Sequence, residues 1–351
     1  MARLPAPLPD GVGPVVTPSD LRAARLHPDR TRRADIVRVQ HGIYRTDDTA
    51  STAWEQLGRL PPAHGRSPEH LAALLRVRPD AVLSHETAAH LHGIPFPHSH
   101  ARMASDDLLG ARTTAVQFTV DRPGSRMRRD GVLDHRRPLP AAHIAQILGL
   151  RVTSLERTWL DLCSLGFPWL VDDLVAAGDH CVKRPWTPSG RAAPLSSIDA
   201  LRRTLADVGR FKGIKNARHS LDLIRVGADS PPETRMRLAC IDAGLGEPLL
   251  QYRIDSDDLF CPELDAAFPE WRAALQYDGF HHLTAAQQAR DAHRDRYCQE
   301  RGWVTFRATA QDARENFRGL IEAVRRRRAQ ITGAEPRRMT PLVELSGRIS
   351  V

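Results

Sequence analysis

Lysine is nearly missing from this chain. Of its 50 basic residues only three are lysines, Lys183, Lys212 and Lys215, and none follows Lys215. No chemistry in the remainder of the chain can therefore rest on a lysine ammonium. Cysteine is scarce as well. Five residues, Cys163, Cys181, Cys240, Cys261 and Cys298, are scattered without a CxxC pair. An odd, dispersed set argues against a disulfide framework and against a structural zinc site, and buried free thiols are the expectation. No apolar run approaches the roughly 18 residues of a membrane span. The opening "MARLPAPLPDG" holds one arginine and no apolar stretch, so it does not read as a secretory signal, and a cytoplasmic protein with no membrane partner is expected.

What is present is length, apolar content and positive charge. At 351 residues and 41% apolar composition, the chain can bury cores for two or three domains. A formal charge of +8 favours nucleic acid or another anionic surface as partner. The bias of arginine over lysine is weaker evidence, because a GC-rich genome produces the same bias.

The patterning predicts five segments: 1–14 Pro-rich and disordered, 15–95 a DNA-binding-like domain, 96–228 a mixed and then helical middle, 229–330 a second α/β unit, and 331–351 a flexible tail. In the first domain "VVTPSDLRAARL" reads as a helix capped by Thr17 or Ser19. "HPDRTRRADIV" reads as a second short helix, and "VRVQHGIYRT", Val37 to Thr46, as a β-hairpin about Gly42. Helix, helix, hairpin is the outline of a winged helix-turn-helix, whose second helix reads the major groove while the wing meets backbone. Arg30, Arg32, Arg33 and Arg38 are then the candidate DNA contacts, each phosphate contact adding about 0.9 to the log–log salt slope. A solvated charged face is the plainer alternative.

From Ser230 the pattern changes. A helix opened by Ser230, Pro231 and Pro232 is stopped by Gly244. Strands over Leu249–Ile254, Leu259–Phe268 and Arg272–Tyr277 precede a polar helix from Ala285 to Arg301. A fourth strand, "WVTFRAT", and a last helix, "DARENFRGLIEAVRRRRAQI", follow. The expected class is α+β or α/β. It comprises an N-terminal winged helix, a mixed middle, and a C-terminal three- to four-stranded mixed sheet flanked by helices.

Two resemblances attach to these segments. "PETRMRLACIDAGLGEP", "LDAAFPEWRAALQYDGFHH" and "RDAHRDRYCQERGWVTFRAT" are similar to bacterial domains related to very-short-patch-repair endonucleases, of the restriction-endonuclease-like PD-(D/E)XK superfamily. The similarity covers about residues 230–328. "VVTPSDLRAARL", "VRVQHGIYRT", "VLSHETAAHLHGIP" and "VTSLERTWLDLC" resemble the winged-helix domain of AbiEi-type antitoxins, a more degenerate match over about residues 13–165.

The first resemblance implies a metal-dependent phosphodiesterase acting on double-stranded DNA, in defence or repair, with Mg²⁺ or Mn²⁺ as cofactor. The metal would be held by Asp265, Asp278 and Gln276, and Glu233 and His282 would complete the catalytic set. Position 276 is where related sequences carry glutamate; the amide brings an oxygen but no charge and weakens the site. His281, Gln287, Asp291 and Arg294 are secondary candidates, with an Asp291–Arg294 ion pair as the structural alternative and Arg294 a possible phosphate contact. Asp265 is the firmest of these, because a carboxylate between Leu264 and Ala266 is costly to bury without a partner. The second resemblance implies a non-catalytic regulator with a cognate toxin as partner.

Overall fold

Thr17 opens the first helix. Its Oγ1 accepts from the Asp20 N–H at 3.3 Å, its own N–H donates to Asp20 Oδ2 at 2.8 Å, and Pro18 stands in the first turn. In this computed structural model residues 9, 15–33, 35–40, 42–46, 68–97, 115–121, 131–187, 189–279 and 285–333 are described. The expected disorder of 1–14 and of the tail falls almost wholly outside them. The chain divides into two units, Met1–Asp229 and Ser230–Val351. Both mix helix and sheet.

The first unit begins with β1 (Val15–Val16), α1 (Pro18–Ala23), β2 (Ile36–Gln40) and β3 (Ile43–Thr46). These strands form an antiparallel sheet in the order β1-β3-β2. The second helix expected here is instead a five-residue 3-10 segment, Pro28–Arg32. The segment opens from a cap at His27 and ends before the strand that starts at Ile36, and Arg30 pairs with the nearby Asp35.

Next come α2 (Pro68–Val77), β4 (Val82–Leu83), α3 (His85–Leu91), β5 (Val116–Val120), β6 (Val132–Arg136), β7 (Ile144–Ile147) and β8 (Leu150–Thr153). The five strands form one sheet in the order β6-β5-β4-β8-β7. This corrects the division at residue 95. Val82–Leu83 is the centre of that sheet, pairing with β5 and β8, and one apolar core runs from Val15 and Ile43 through Leu71 and Leu74 to Val116 and Val152. The apolar strand faces are too small to be covered separately, so they share α2.

Four amphipathic helices follow, α4 (Leu155–Cys163), α5 (Val171–Val182), α6 (Ile198–Val208) and α7 (Ile214–Leu223), around Trp159, Trp169 and Leu201. Ser154 and Ser197 cap α4 and α6 by accepting from the N–H three residues on. Gly178 is required where α5 meets Ile224, since a Cβ there would fall 2.1 Å from the Ile224 Cδ1. Between α5 and α6 lies a small ladder of β9 (Trp186–Thr187) and β10 (Gly190–Arg191). All five cysteines are free and buried.

The second unit runs α8 (Pro231–Asp242), β11 (Leu249–Arg253), β12 (Glu263–Phe268), β13 (Ala273–Asp278), α9 (Ala285–Glu300), β14 (Val304–Thr309), α10 (Ala310–Arg314) and α11 (Arg318–Thr332). Its sheet has the order β11-β12-β13-β14, antiparallel except for the last, parallel pair. Period-2 alternation along β13 sends Ala273 and Leu275 into the larger core, with Phe268, Phe317 and Val324, and Ala274 into the smaller one with Leu264 and Cys298. The last helix is broken. Asn316 and Phe317 take left-handed φ of 53° and 56°, which turns the Phe317 ring fully into the core.

Candidate functional site

Because β12 runs antiparallel to β13, the start of one strand lies beside the end of the other. Asp265, near the start of β12, accepts a hydrogen bond from the Tyr277 N–H at 2.9 Å through Oδ2. On the other side β13 lies parallel to β14, with Gln276 opposite Arg307 and Asp278 opposite Thr309. These strand ends open into a cleft of about 1040 Å³. Glu233 lines it from α8, Asp291 and Arg294 from α9, and Gln311 and Arg314 from α10.

The fold thus brings together Glu233, Asp265, Gln276, Asp278, Asp291 and Arg294, residues separated by up to 61 positions (294 − 233 = 61). Their states differ. Glu233 sits in the first turn of α8, where negative charge is favoured, and its Oε1 accepts from the Ser230 hydroxyl at 2.7 Å. Gln276 is buried, at 1% exposure. Asp291 and Arg294 form the ion pair their spacing allows, at 2.7 Å.

Asp278, expected as a metal ligand beside Asp265, has its carboxylate engaged at 2.8 Å by Arg307. The same guanidinium donates at 2.7 Å to Asp295 on α9. Burial pulls the Arg307 pKa down, but hydrogen bonds and charge from Asp278 and Asp295 more than reverse that, and it stands above the ordinary arginine value.

Among the described residues no group of three or more His, Cys, Asp or Glu side chains is arranged to hold a metal ion. The donor chemistry fits a sparser site. Asp265, Asp278 and the Gln276 amide are all oxygen donors, and Mg²⁺ commonly takes one or two carboxylates and keeps several waters. His281 and His282 lie outside the described residues, as does the Gln287 side chain.

Arg307 and Arg314 line the cleft but were not among the candidate site residues, although Arg307 lies within the quoted segment "RDAHRDRYCQERGWVTFRAT". Arg307 sits in "WVTFRAT", a strand whose apolar members advertise core. Only its place among alternating neighbours hinted that it faces elsewhere. The arginine run near the C-terminus is structural. Arg325 donates to the Ala243 carbonyl, Arg327 to those of Trp271 and Gly302, and Arg328 lies over the Trp271 ring.

In the first unit the four arginines differ in availability. Arg30 is 12% exposed and turned to Asp35, which removes it as a ready DNA contact. Arg32 is exposed and pairs with Asp29 at 3.3 Å, and Arg33 and Arg38 are exposed. Among the described residues no helix is long and apolar enough to cross a membrane.

No protein-family model matches the chain. It is similar to the uncharacterized proteins MT2308 and Rv2248 of Mycobacterium tuberculosis strains CDC 1551 and H37Rv, at 26% identity over 312 residues in each case. The similarity covers 87% of this chain and 97% of each relative, which is more than either unit alone could supply, so the matched span extends into both units.

Proposed function

We propose that this is a cytoplasmic DNA-binding protein whose second unit is a phosphodiester-hydrolysing, endonuclease-like domain of the restriction-endonuclease type. The observation that carries the reading is the meeting of Asp265, Gln276, Asp278 and Glu233 in one cleft at the strand ends of a sheet ordered β11-β12-β13-β14. A divalent cation, Mg²⁺ or Mn²⁺, would be held by Asp265 and Asp278 with the Gln276 oxygen. Bound there, it supplies Lewis acidity toward a water and neutralises phosphate charge. The Tyr277 N–H donates to Asp265, Ser230 donates to Glu233 on the cleft wall, and Arg294, which lines the cleft, would meet a phosphate oxygen. Exposed Arg32, Arg33 and Arg38 of a winged-helix-like first unit would supply backbone contacts to the duplex.

A second reading is favoured by two observations, the amide at position 276 and the Asp278–Arg307 ion pair. In it the fold is a binding module of a non-catalytic, antitoxin-type regulator with a toxin as partner. Incubation of the full chain with Mg²⁺ or Mn²⁺ and plasmid, mismatched or single-stranded DNA separates the two. Nicking that disappears in Asp265→Ala supports hydrolysis at this cleft. Nicking that survives that substitution sinks the site. No nicking at all, with salt-sensitive duplex binding lost in Arg32→Ala/Arg33→Ala, supports the regulator.

A further inference from the structure

Arg307 answers a question left by the composition, namely what cation serves a cleft in a unit without lysine. It projects from β14 beside Gln276, and its two terminal nitrogens go to different carboxylates, Nη1 to Asp278 at 2.8 Å and Nη2 to Asp295 at 2.7 Å. The two arms are not equivalent. Asp278 lines the cleft, whereas Asp295 belongs to the flanking helix and is not part of its wall. A guanidinium has five N–H donors, so these two bonds leave capacity for a third acceptor. The side chain is 32% exposed and Asp278 is 41% exposed, so their pair is in contact with water and exchangeable.

The electrostatic consequence is direct. A carboxylate neutralised by a neighbouring guanidinium is a weaker ligand for a hard cation, and Gln276 adds no charge to compensate. A cation that captures Asp278 must displace Arg307, which then stays tethered by Asp295 at the mouth of the same cleft. A tethered guanidinium with freed donors is a phosphate ligand.

We propose that Arg307 is an exchangeable counter-ion. It holds Asp278 in the ligand-free protein, and passes to a phosphodiester oxygen when a divalent cation takes Asp278, so that metal and nucleic-acid phosphate bind cooperatively. This rests on reading the cleft as a phosphodiester site, but it concerns binding and not turnover. Reciprocity requires that each ligand tighten the other by the same factor.

The test measures two affinities on the full chain: Mn²⁺ by electron paramagnetic resonance without DNA, and a short DNA duplex by fluorescence anisotropy in EDTA and in Ca²⁺. Arg307→Gln is expected to tighten Mn²⁺ roughly two- to fivefold, the scale of one exposed charge pair, and to weaken the duplex in Ca²⁺. Asp278→Asn is expected to do the reverse, weakening Mn²⁺ and tightening the duplex in EDTA, because Arg307 is then released. Arg307→Lys keeps the counter-charge and should leave Mn²⁺ affinity within about twofold. Affinities that fall together in Arg307→Gln indicate a merely structural arginine and overturn the proposal, as does unchanged Mn²⁺ binding. If Arg307→Gln fails to fold, the opposite shifts in Asp278→Asn decide alone. Opposite shifts without nicking by the wild type would end the hydrolysis reading and leave this one standing. Nicking without opposite shifts would end this one only.

Discussion

Gln276 shows how a single side chain sets the character of the cleft. The amide is buried, next to a strand-end acid and opposite an arginine. Gln276→Glu adds a negative charge at this point, but puts a carboxylate in an enclosed position. The expected outcome is a loss of about 1–3 kcal/mol in urea unfolding without metal. Mn²⁺ should recover that loss in proportion to its occupancy. A variant equally stable with and without Mn²⁺ would show that position 276 does not face the cation. A second residue-scale case lies in the first unit, where Arg157 and Asp161 pair at 3.0 Å with no exposure on either side, and Arg137 stands 3.8 Å from the same carboxylate. Asp161→Asn should cost about 3–5 kcal/mol, because it leaves buried guanidinium charge uncompensated. Arg157→Met/Asp161→Leu should regain most of this in the same denaturation experiment, and a double variant as weak as the single would contradict the desolvation argument. At this scale Asp265 was legible in the sequence, as an acid stranded between apolar neighbours. Arg307 was not, because the alternation that marks a strand does not say which acids lie beside it.

Elements were legible wherever local chemistry speaks for itself. Thr17, Ser154 and Ser197 cap helices as their positions imply, and the order of helices and strands after Ser230 follows the hydrophobic period. Two elements differ from the helical reading. The segment Pro28–Arg32 stays short beside the local Arg30–Asp35 pair, and the last helix breaks where Phe317 turns into the core. Helical spacing alone cannot weigh a buried ring against two residues in left-handed conformation. Phe317→Ala removes the reason for the break and leaves a cavity. It should destabilise the second unit by about 3–5 kcal/mol in guanidinium or urea, and a loss below about 1 kcal/mol would mean that the ring is not what holds the turn.

For the molecule as a whole, pH is the sharpest probe. In the first unit burial lowers the pKa of His85, His92 and His180 from the ordinary 6.5, the last to about 4 with Lys183 adding to the effect. His85 is stacked on His135 at 3.6 Å and reaches the Ser84 hydroxyl through Nδ1 at 2.8 Å. Burial favours the neutral form of all three in the fold, and the unfolded chain protonates them below about 6.5, so it binds more protons. Stability from these groups is therefore complete above that value and declines as pH falls toward 4. Urea midpoints compared at about pH 7.5 and about pH 5 should drop in acid, and His180→Gln should narrow the difference. A midpoint that rises in acid would mean that these imidazoles are charged in the folded state.

The sequence by itself determined the basic charge, the absence of lysine from the second unit, the free thiols and the order of elements. It also determined the residue types available for chemistry. These are local or additive properties that hold however the chain packs. Only the tertiary structure decided that one core runs through residue 95 and that Asp278 is held by an arginine 29 positions away. Those outcomes depend on which strands pair and which faces must share a cover, and pairing is a competition among distant segments that no local pattern records.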